Sequence, residues 1–175
     1  KPKKPTIAVH TRDHRDTLKL IKSFYLQHPQ FKWISFRDMR NMSREEFATT
    51  LGECFMSVWV DRNGGWGTFP LESMMCNTPV VGTLPILKPD WMTNENGVWV
   101  FDESKLVEVV STFVKNWLED SVPEKLYAQM SETVKSNSPE KEKEMVLSYF
   151  DELVTEKITE LENALNKLTP VGENS

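Results

Sequence analysis

The sequence predicts a doubly wound α/β domain, a Rossmann-like parallel sheet covered by helices on both faces, followed by a long C-terminal helix. Short runs rich in β-branched and aromatic residues alternate with segments whose apolar residues recur at helical spacing. Several of these runs are apolar on both faces, as is typical of strands buried between two layers of helices. In such sheets ligands bind beyond the carboxyl ends of the strands, so the loops that follow the strands are the candidate binding region.

Five segments have the composition of strands. Valine, isoleucine, phenylalanine, tryptophan and threonine are concentrated in them, and these residues favour extended backbone. Helical segments separate the first strands along the chain, which favours parallel pairing. The predicted strands are residues 5–11, 31–36, 55–60, 78–83 and 97–101.

The segments between these strands predict helices with recognisable ends. Leu18, Ile21 and Phe24 recur at helical spacing in the first helix. Ser43 is an N-cap candidate, and Glu46 three residues later completes a capping box for the second helix. The predicted helices are residues 15–28, 43–54, 69–76 and 102–120.

The C-terminal part of the chain predicts one long helix from Ser138 to Leu168, with Pro139 at its first helical position. At 1.5 Å per residue this helix would be about 45 Å long. Its apolar stripe favours packing on its own domain or on a missing neighbour, with self-association as the alternative. We therefore divide the chain into a Rossmann-like domain, residues 1–137, and a C-terminal helix and tail, residues 138–175. The stripe consists of Val154, Ile158, Leu161, Leu165 and Leu168.

Composition excludes several classes of protein. With 175 residues, of which 39% are hydrophobic, the chain fits one folded domain. The net charge is -5 and the basic residues are scattered, which argues against a nucleic-acid surface. No apolar run approaches the roughly 20 residues of a membrane-spanning helix, and no signal-peptide core follows the N-terminus. We expect a soluble, cytoplasmic protein.

Cysteines and histidines give no indication of a metal site. Cys54 and Cys76 lie in apolar segments, which favours buried thiols over a disulfide framework or a metal centre. His10, His14 and His28 have no metal-ligand spacing with cysteines or carboxylates. We therefore expect no bound metal.

A glycine-rich loop separates the third strand from the helix that starts around Thr68 or Phe69. Glycines can adopt positive φ and allow a ligand to approach the main chain closely. The start of the helix offers free N–H groups and a partial positive charge, which suit a diphosphate. Glu72 lies close behind, where a carboxylate could accept hydrogen bonds from the vicinal hydroxyls of a ribose. The loop residues concerned are Asn63, Gly64, Gly65 and Gly67.

One simpler interpretation of this loop stays open, and one other ligand site is not indicated. It could be an ordinary glycine-bearing turn, with Glu72 favourable only because a carboxylate stabilises the start of a helix. A dinucleotide site of the Gly-x-Gly-x-x-Gly type is not indicated, because Pro70 lies three residues after Gly67 where that pattern requires glycine.

The stretch "GGWGTFPLESMMCNTPVVGTLP", residues 64–85, resembles the donor-site signature of retaining GT-B glycosyltransferases of the glycogen-synthase-like kind. In that signature a Gly-aromatic-Gly loop precedes an apolar helix carrying "LEAMACGTPVV". The resemblance extends over about residues 5–120. The positions that match in type and spacing are Leu71, Glu72, Met74, Cys76, Thr78, Pro79, Val80 and Val81.

The resemblance implies the nucleotide-sugar-binding half of a two-domain hexosyltransferase, with an N-terminal acceptor domain missing from this chain. Glu72 would bind the ribose hydroxyls, and Arg12 and Arg15 would neutralise the diphosphate leaving group. No metal or other cofactor would be needed, no catalytic residue is assigned, and the chain alone would be inactive. The implied donor-binding residues are Arg12, Arg15, Asn63, Gly64, Gly65, Trp66, Gly67, Thr68 and Glu72.

The sequence departs from the family pattern at one acidic position. The family has two glutamates eight residues apart, and the position eight residues before Glu72 is Gly64, with Asp61 and Asn63 nearby. This departure supports a second hypothesis, a non-catalytic GT-B-like interaction module that associates, for example as a dimer, through its C-terminal helix.

Overall fold

The structure, a computed structural model, describes residues 2–63 and 66–168, with side chains up to residue 165. It contains a five-stranded parallel sheet flanked by helices and a long C-terminal helix, which confirms the predicted fold class. The chain forms two compact units, Lys1–Val134 and Lys135–Ser175. No helix among the described residues is long and apolar enough to cross a membrane.

The order of the strands determines where a ligand can bind. All neighbouring strands are parallel, and their order across the sheet is β2-β1-β3-β4-β5. The chain runs from β1 to β2 in one direction and then to β3 on the other side of β1. The connections therefore diverge between β1 and β3, and the crevice beyond their carboxyl ends is the expected ligand position. The strands are β1 Lys4–Thr11, β2 Ser35–Asp38, β3 Cys54–Val60, β4 Val80–Thr83 and β5 Val98–Val100.

Local signals account for the ends of several helices. The Ser43 hydroxyl accepts a hydrogen bond from the Glu46 N–H and the Glu46 carboxylate accepts one from the Ser43 N–H, which confirms the capping box. Ser138 caps the last helix by accepting a hydrogen bond from the N–H of Lys141. The helices are α1 His14–Gln27, α2 Arg44–Glu53, α3 Thr68–Met75, α4 Leu106–Leu118, α5 Glu124–Ser136 and α6 Pro139–Leu168.

Helices cover both faces of the sheet. His10 and Thr11 are successive residues of β1, so their side chains point to opposite faces. The hydroxyl oxygens of Thr11 and Thr17 lie 2.7 Å apart, which places α1 on one face. The rings of His10 and Phe69 stack with centroids 4.8 Å apart, which places α3 on the other face. Between these layers all seven residues of β3 are buried.

Two predictions about secondary structure are corrected. The second strand begins at Ser35 instead of residue 31, because Pro29–Phe31 forms a 3-10 turn that buries Phe31 without extending the backbone. Helix α5 had no counterpart among the predicted elements. Its buried side chains are Leu126 and Met130, a pair four residues apart in a mainly polar segment, which is too weak a pattern to indicate a helix.

Candidate functional site

A pair of opposite charges lies at the carboxyl ends of β1 and β3. Arg12 follows β1 directly, and its N–H donates to the carbonyl of Val60 at 3.3 Å. Its guanidinium Nη1 lies 4.0 Å from Oδ1 of Asp61, the residue that follows β3. The Arg12 side chain is 67% exposed, so this pair restrains it weakly and a ligand in the crevice could compete for the cation.

The second predicted arginine is engaged elsewhere. Arg15 Nε and Nη2 both donate to Oδ2 of Asp13, at 3.0 and 2.7 Å. Asp13 is the N-cap of α1, and its other oxygen accepts a hydrogen bond from the N–H of Arg15. The hydrogen bonds from Arg15 lower the pKa of the Asp13 carboxyl to about 2. Arg15 therefore helps to cap a helix, and of the two predicted arginines Arg12 is the one at the crevice.

The glycine loop leads directly into α3. Gly64 and Gly65 lie outside the described residues. Gly67 is the N-cap of α3 and has φ 73° and ψ 48°, a left-handed conformation that favours glycine. Gly67 has no side chain to cap the helix, and the N–H of Leu71 donates to the Gly67 carbonyl. The N–H groups of Thr68 and Phe69 are therefore left for another acceptor, since Pro70 has none. Before the glycines, the N–H of Asn63 donates to Oδ1 of Asp61 at 3.2 Å and tightens the turn.

Trp66 and Trp91 meet across this loop. The Trp66 side chain is 64% exposed, so it could contact a ligand. Its carbonyl accepts a hydrogen bond from Trp91 Nε1 at 3.1 Å. Trp91 lies in the connection between β4 and β5, and the sequence had indicated no role for it. The available signal was an aromatic residue in a loop on the ligand side of the sheet.

Glu72 lies on the second turn of α3 as a half-buried carboxylate. Burial raises its pKa, and the positive charge of Arg44 at the start of α2 opposes this effect. Among the residues that the structure describes, none donates a hydrogen bond to this carboxylate. Its oxygens are thus partly removed from water and still available to accept hydrogen bonds from a ligand.

A cluster of polar residues at the carboxyl end of β2 was not foreseen. Arg40 donates through Nε to Oδ1 of Asp38 at 3.0 Å and through Nη2 to Oδ2 of the same carboxylate. These hydrogen bonds lower the pKa of Asp38. His14 Nδ1 lies 2.6 Å from Arg40 Nη2 and 3.1 Å from Oδ2 of Asp38. The acid at the end of β2 is therefore bound by an arginine of its own loop.

The described residues contain no group of three or more histidine, cysteine or acidic side chains able to hold a metal ion. His10 stacks on Phe69, and burial, together with the Arg40 charge, lowers its pKa. Both cysteines are free thiols. Burial raises the pKa of Cys54 to about 11 and also raises that of Cys76, so neither thiol is activated.

No protein-family model matches this sequence, and no curated protein matches it. The solved structures that share its fold include the following two. The crystal structure of TarM has 12% identity and a TM-score of 0.59 over 87% of this chain and 36% of that chain. The crystal structure of the GtfA/B complex has 10% identity and a TM-score of 0.53 over 89% of this chain and 37% of that chain. The chain thus spans little more than a third of each. At these identities the likeness shows the fold alone, an α/β fold of the GT-B type.

Proposed function

We propose that this chain is the donor-binding domain of a GT-B glycosyltransferase that transfers a hexose from a nucleotide-diphosphate sugar. One observation carries the proposal. The half-buried Glu72 carboxylate, with no hydrogen-bond donor among the described residues, lies one turn behind the left-handed Gly67 at the carboxyl end of β3. A carboxylate in this position accepts hydrogen bonds from the two vicinal hydroxyls of the donor ribose.

The diphosphate of the donor meets the start of α3. This helix has no side-chain cap, so its first N–H groups and the positive end of its dipole are available to an anion. Arg12 adds a positive charge from the end of β1. Together these groups stabilise the charge that develops on the departing diphosphate, and no metal is required. Trp66, exposed beside Gly67, contacts the sugar or the diphosphate.

The complete enzyme has a second domain that binds the acceptor, and transfer takes place between the two domains. This part of the proposal is supported by the size of the matched structures, of which this chain spans little more than a third. We assign no catalytic residue in this chain and expect no turnover from it alone.

A second candidate function is favoured by the surface of α6. The helix exposes a series of large apolar side chains, so the chain could instead be a non-catalytic module that associates through α6. Leu161→Lys would then abolish a concentration-dependent increase in mass in solution, whereas Thr159→Lys, on another face of the helix, would not. The exposed apolar residues of α6 are Met145, Val146, Leu147, Tyr149, Phe150, Leu153, Val154, Ile158, Leu161 and Leu165.

Titration with nucleotides tests the donor-binding function. The chain is titrated with UDP, GDP, ADP and their sugar conjugates by calorimetry and thermal unfolding. A ligand at 100 times its Kd stabilises by about 2.7 kcal/mol, which raises the unfolding midpoint by several degrees. Glu72→Gln keeps the size of the side chain but cannot accept two hydroxyls as a carboxylate does. Since a hydrogen bond to a charged group contributes about 1.5–3 kcal/mol, affinity should fall at least about tenfold.

Glu108→Gln is the matched control, because Glu108 is an exposed glutamate in the first turn of α4. It should bind nucleotide as the wild type does. Unchanged affinity in Glu72→Gln would contradict the assignment of Glu72. A lack of binding to every nucleotide, in this chain and in the full-length protein, would contradict the proposed function.

Glu72→Gln also has a predicted effect on the stability of the folded chain. Burial raises the pKa of Glu72 in the folded state, so folding favours the protonated carboxyl. This stabilisation is fully present below the unfolded pKa and is lost as the pH rises through the folded pKa. Glu72→Gln should therefore raise the unfolding midpoint at pH 7 and raise it less at pH 4. A variant that loses ligand affinity while gaining stability identifies Glu72 as a binding residue and not a structural one.

A further inference from the structure

Trp91 contacts two successive residues of the glycine loop where that loop becomes helix α3. Its Nε1–H donates to the Trp66 carbonyl at 3.1 Å. Its six-membered ring lies against Gly67, where a Cβ atom would be 3.0 Å from Cζ2 and 3.4 Å from Cη2. The indole therefore occupies the space that a side chain at position 67 would need, and it fixes the carbonyl immediately before that position.

The backbone of Trp91 is itself held by a buried amide. Asn96 is 2% exposed, and its Nδ2 donates both to the Trp91 carbonyl at 2.6 Å and to Thr133 Oγ1 of α5 at 2.8 Å. Its Oδ1 accepts from the N–H of Thr93 at 3.0 Å. Every hydrogen-bonding atom of this amide has a partner, and such satisfied buried groups make their surroundings rigid. Trp91 is thus anchored to α5 on one side and reaches the glycine loop on the other.

We propose that Trp91 is a positioning residue that holds Trp66 and Gly67, at the start of α3, in the conformation required to bind the diphosphate of the donor. The inference rests on the proposed function, which it deepens. Glycine loses more conformational freedom on ordering than any other residue, so a glycine-rich loop is costly to order when the ligand arrives. Because the indole already fixes Trp66 and Gly67, the N–H groups at the start of α3 are directed without that part of the cost.

Two substitutions of Trp91 separate the contributions of its N–H and its ring. Trp91→Phe keeps an aromatic ring but removes the N–H donor. Trp91→His keeps an N–H at the corresponding ring position but lacks the six-membered ring that lies against Gly67. Trp99→Phe is the matched control, because Trp99 Nε1 donates to the carbonyl of Thr93 and so lies outside the contact with the loop.

The measurements are hydrogen exchange of the amides from Trp66 to Met74 without ligand, and affinity for the nucleotide panel by calorimetry. Each protein is measured at the same interval below its own unfolding midpoint, so that loss of global stability is matched. We expect Trp91→Phe to accelerate exchange in this segment about tenfold and to weaken nucleotide binding about tenfold. Trp91→His should recover part of both effects, and Trp99→Phe should behave as the wild type does.

Wild-type exchange and affinity in Trp91→Phe would overturn the inference, and so would equal acceleration in Trp91→Phe and Trp99→Phe. If no nucleotide binds to the wild type, as this chain or as the full-length protein, while exchange rises in Trp91→Phe alone, the donor function fails and the role of Trp91 in fixing Trp66 and Gly67 stands. If Trp91→Phe does not fold, Trp91→His is compared with the wild type by the same two measurements. Faster exchange and weaker binding in Trp91→His would then support the inference, and wild-type exchange and affinity would overturn it.

Discussion

Replacing Gly67 with alanine is expected to lower the free energy of unfolding by about 1 kcal/mol. Gly67 has φ 73°, and a residue with a Cβ atom costs roughly 1–2 kcal/mol in that conformation. The smaller conformational freedom of alanine in the unfolded chain returns about 0.4–1 kcal/mol. The new Cβ would lie 3.0 Å from Cζ2 of Trp91, so the ring must shift by a few tenths of an ångström, which adds to the cost.

Gly52→Ala is the matched control and should act in the opposite direction. Gly52 lies within α2, and a Cβ there would meet no heavy atom within 4 Å apart from its chain neighbours and the backbone of its own helix. Since glycine inside a helix is about 0.5–1 kcal/mol less stable than alanine, this variant should gain that amount.

Urea and thermal unfolding measure both changes. For a chain of 175 residues, 1 kcal/mol corresponds to a shift of about 2–4 °C in the midpoint. The midpoint should therefore fall in Gly67→Ala and rise in Gly52→Ala. A Gly67→Ala variant as stable as the wild type would refute the reasoning that the left-handed backbone and the adjacent indole require glycine.

Two further predictions concern titratable groups. Arg40 lowers the pKa of Asp38 in the folded state from its usual 3.8, so folding favours the ionised carboxylate. The pair therefore stabilises the fold above pH 3.8, and this stabilisation is lost as the pH falls through the folded pKa. Arg40→Gln should therefore lower the unfolding midpoint at pH 6 and lower it less at pH 3, and equal losses at both pH values would contradict the ion pair. Because burial raises the pKa of both thiols, iodoacetamide at pH 8 should modify half-buried Cys76 slowly, and Cys54, whose pKa is about 11, only on unfolding. Mass spectrometry follows both sites, and rapid modification of Cys54 in the folded chain would show that it is not buried.

The correct sequence predictions depend on short-range signals. The capping box of Ser43 and Glu46 involves residues three apart. The start of α3, expected around Thr68 or Phe69 and found at Thr68, follows from a glycine loop next to an apolar segment. The alternation of apolar runs and helical patterns was sufficient for the parallel sheet. The carboxyl edge, and with it the candidate site, could therefore be located from the sequence.

The features that were missed depend on contacts between distant parts of the chain. The hydrogen bond from Trp91 to Trp66 joins residues 25 apart, and that from Asn96 to Thr133 joins residues 37 apart. No local pattern predicts such pairs, because folding brings them together. The pairing of Arg15 with Asp13 joins residues only two apart. The family resemblance nevertheless assigned Arg15 to the diphosphate and not to the helix cap. The ligand-binding roles of the individual residues stay predictions.

The central position of β3 has a consequence for how this protein can evolve. All seven of its residues are buried, so the strand tolerates little change, whereas the loop that follows it meets solvent as soon as the strand ends at Val60. Mutations that alter ligand preference can accumulate in such a loop at small cost to folding, since a rigid scaffold positions it. If this edge binds the donor as proposed, exchange of loop segments there is a practical route to new specificity, provided that Gly67 and Trp91 are kept together.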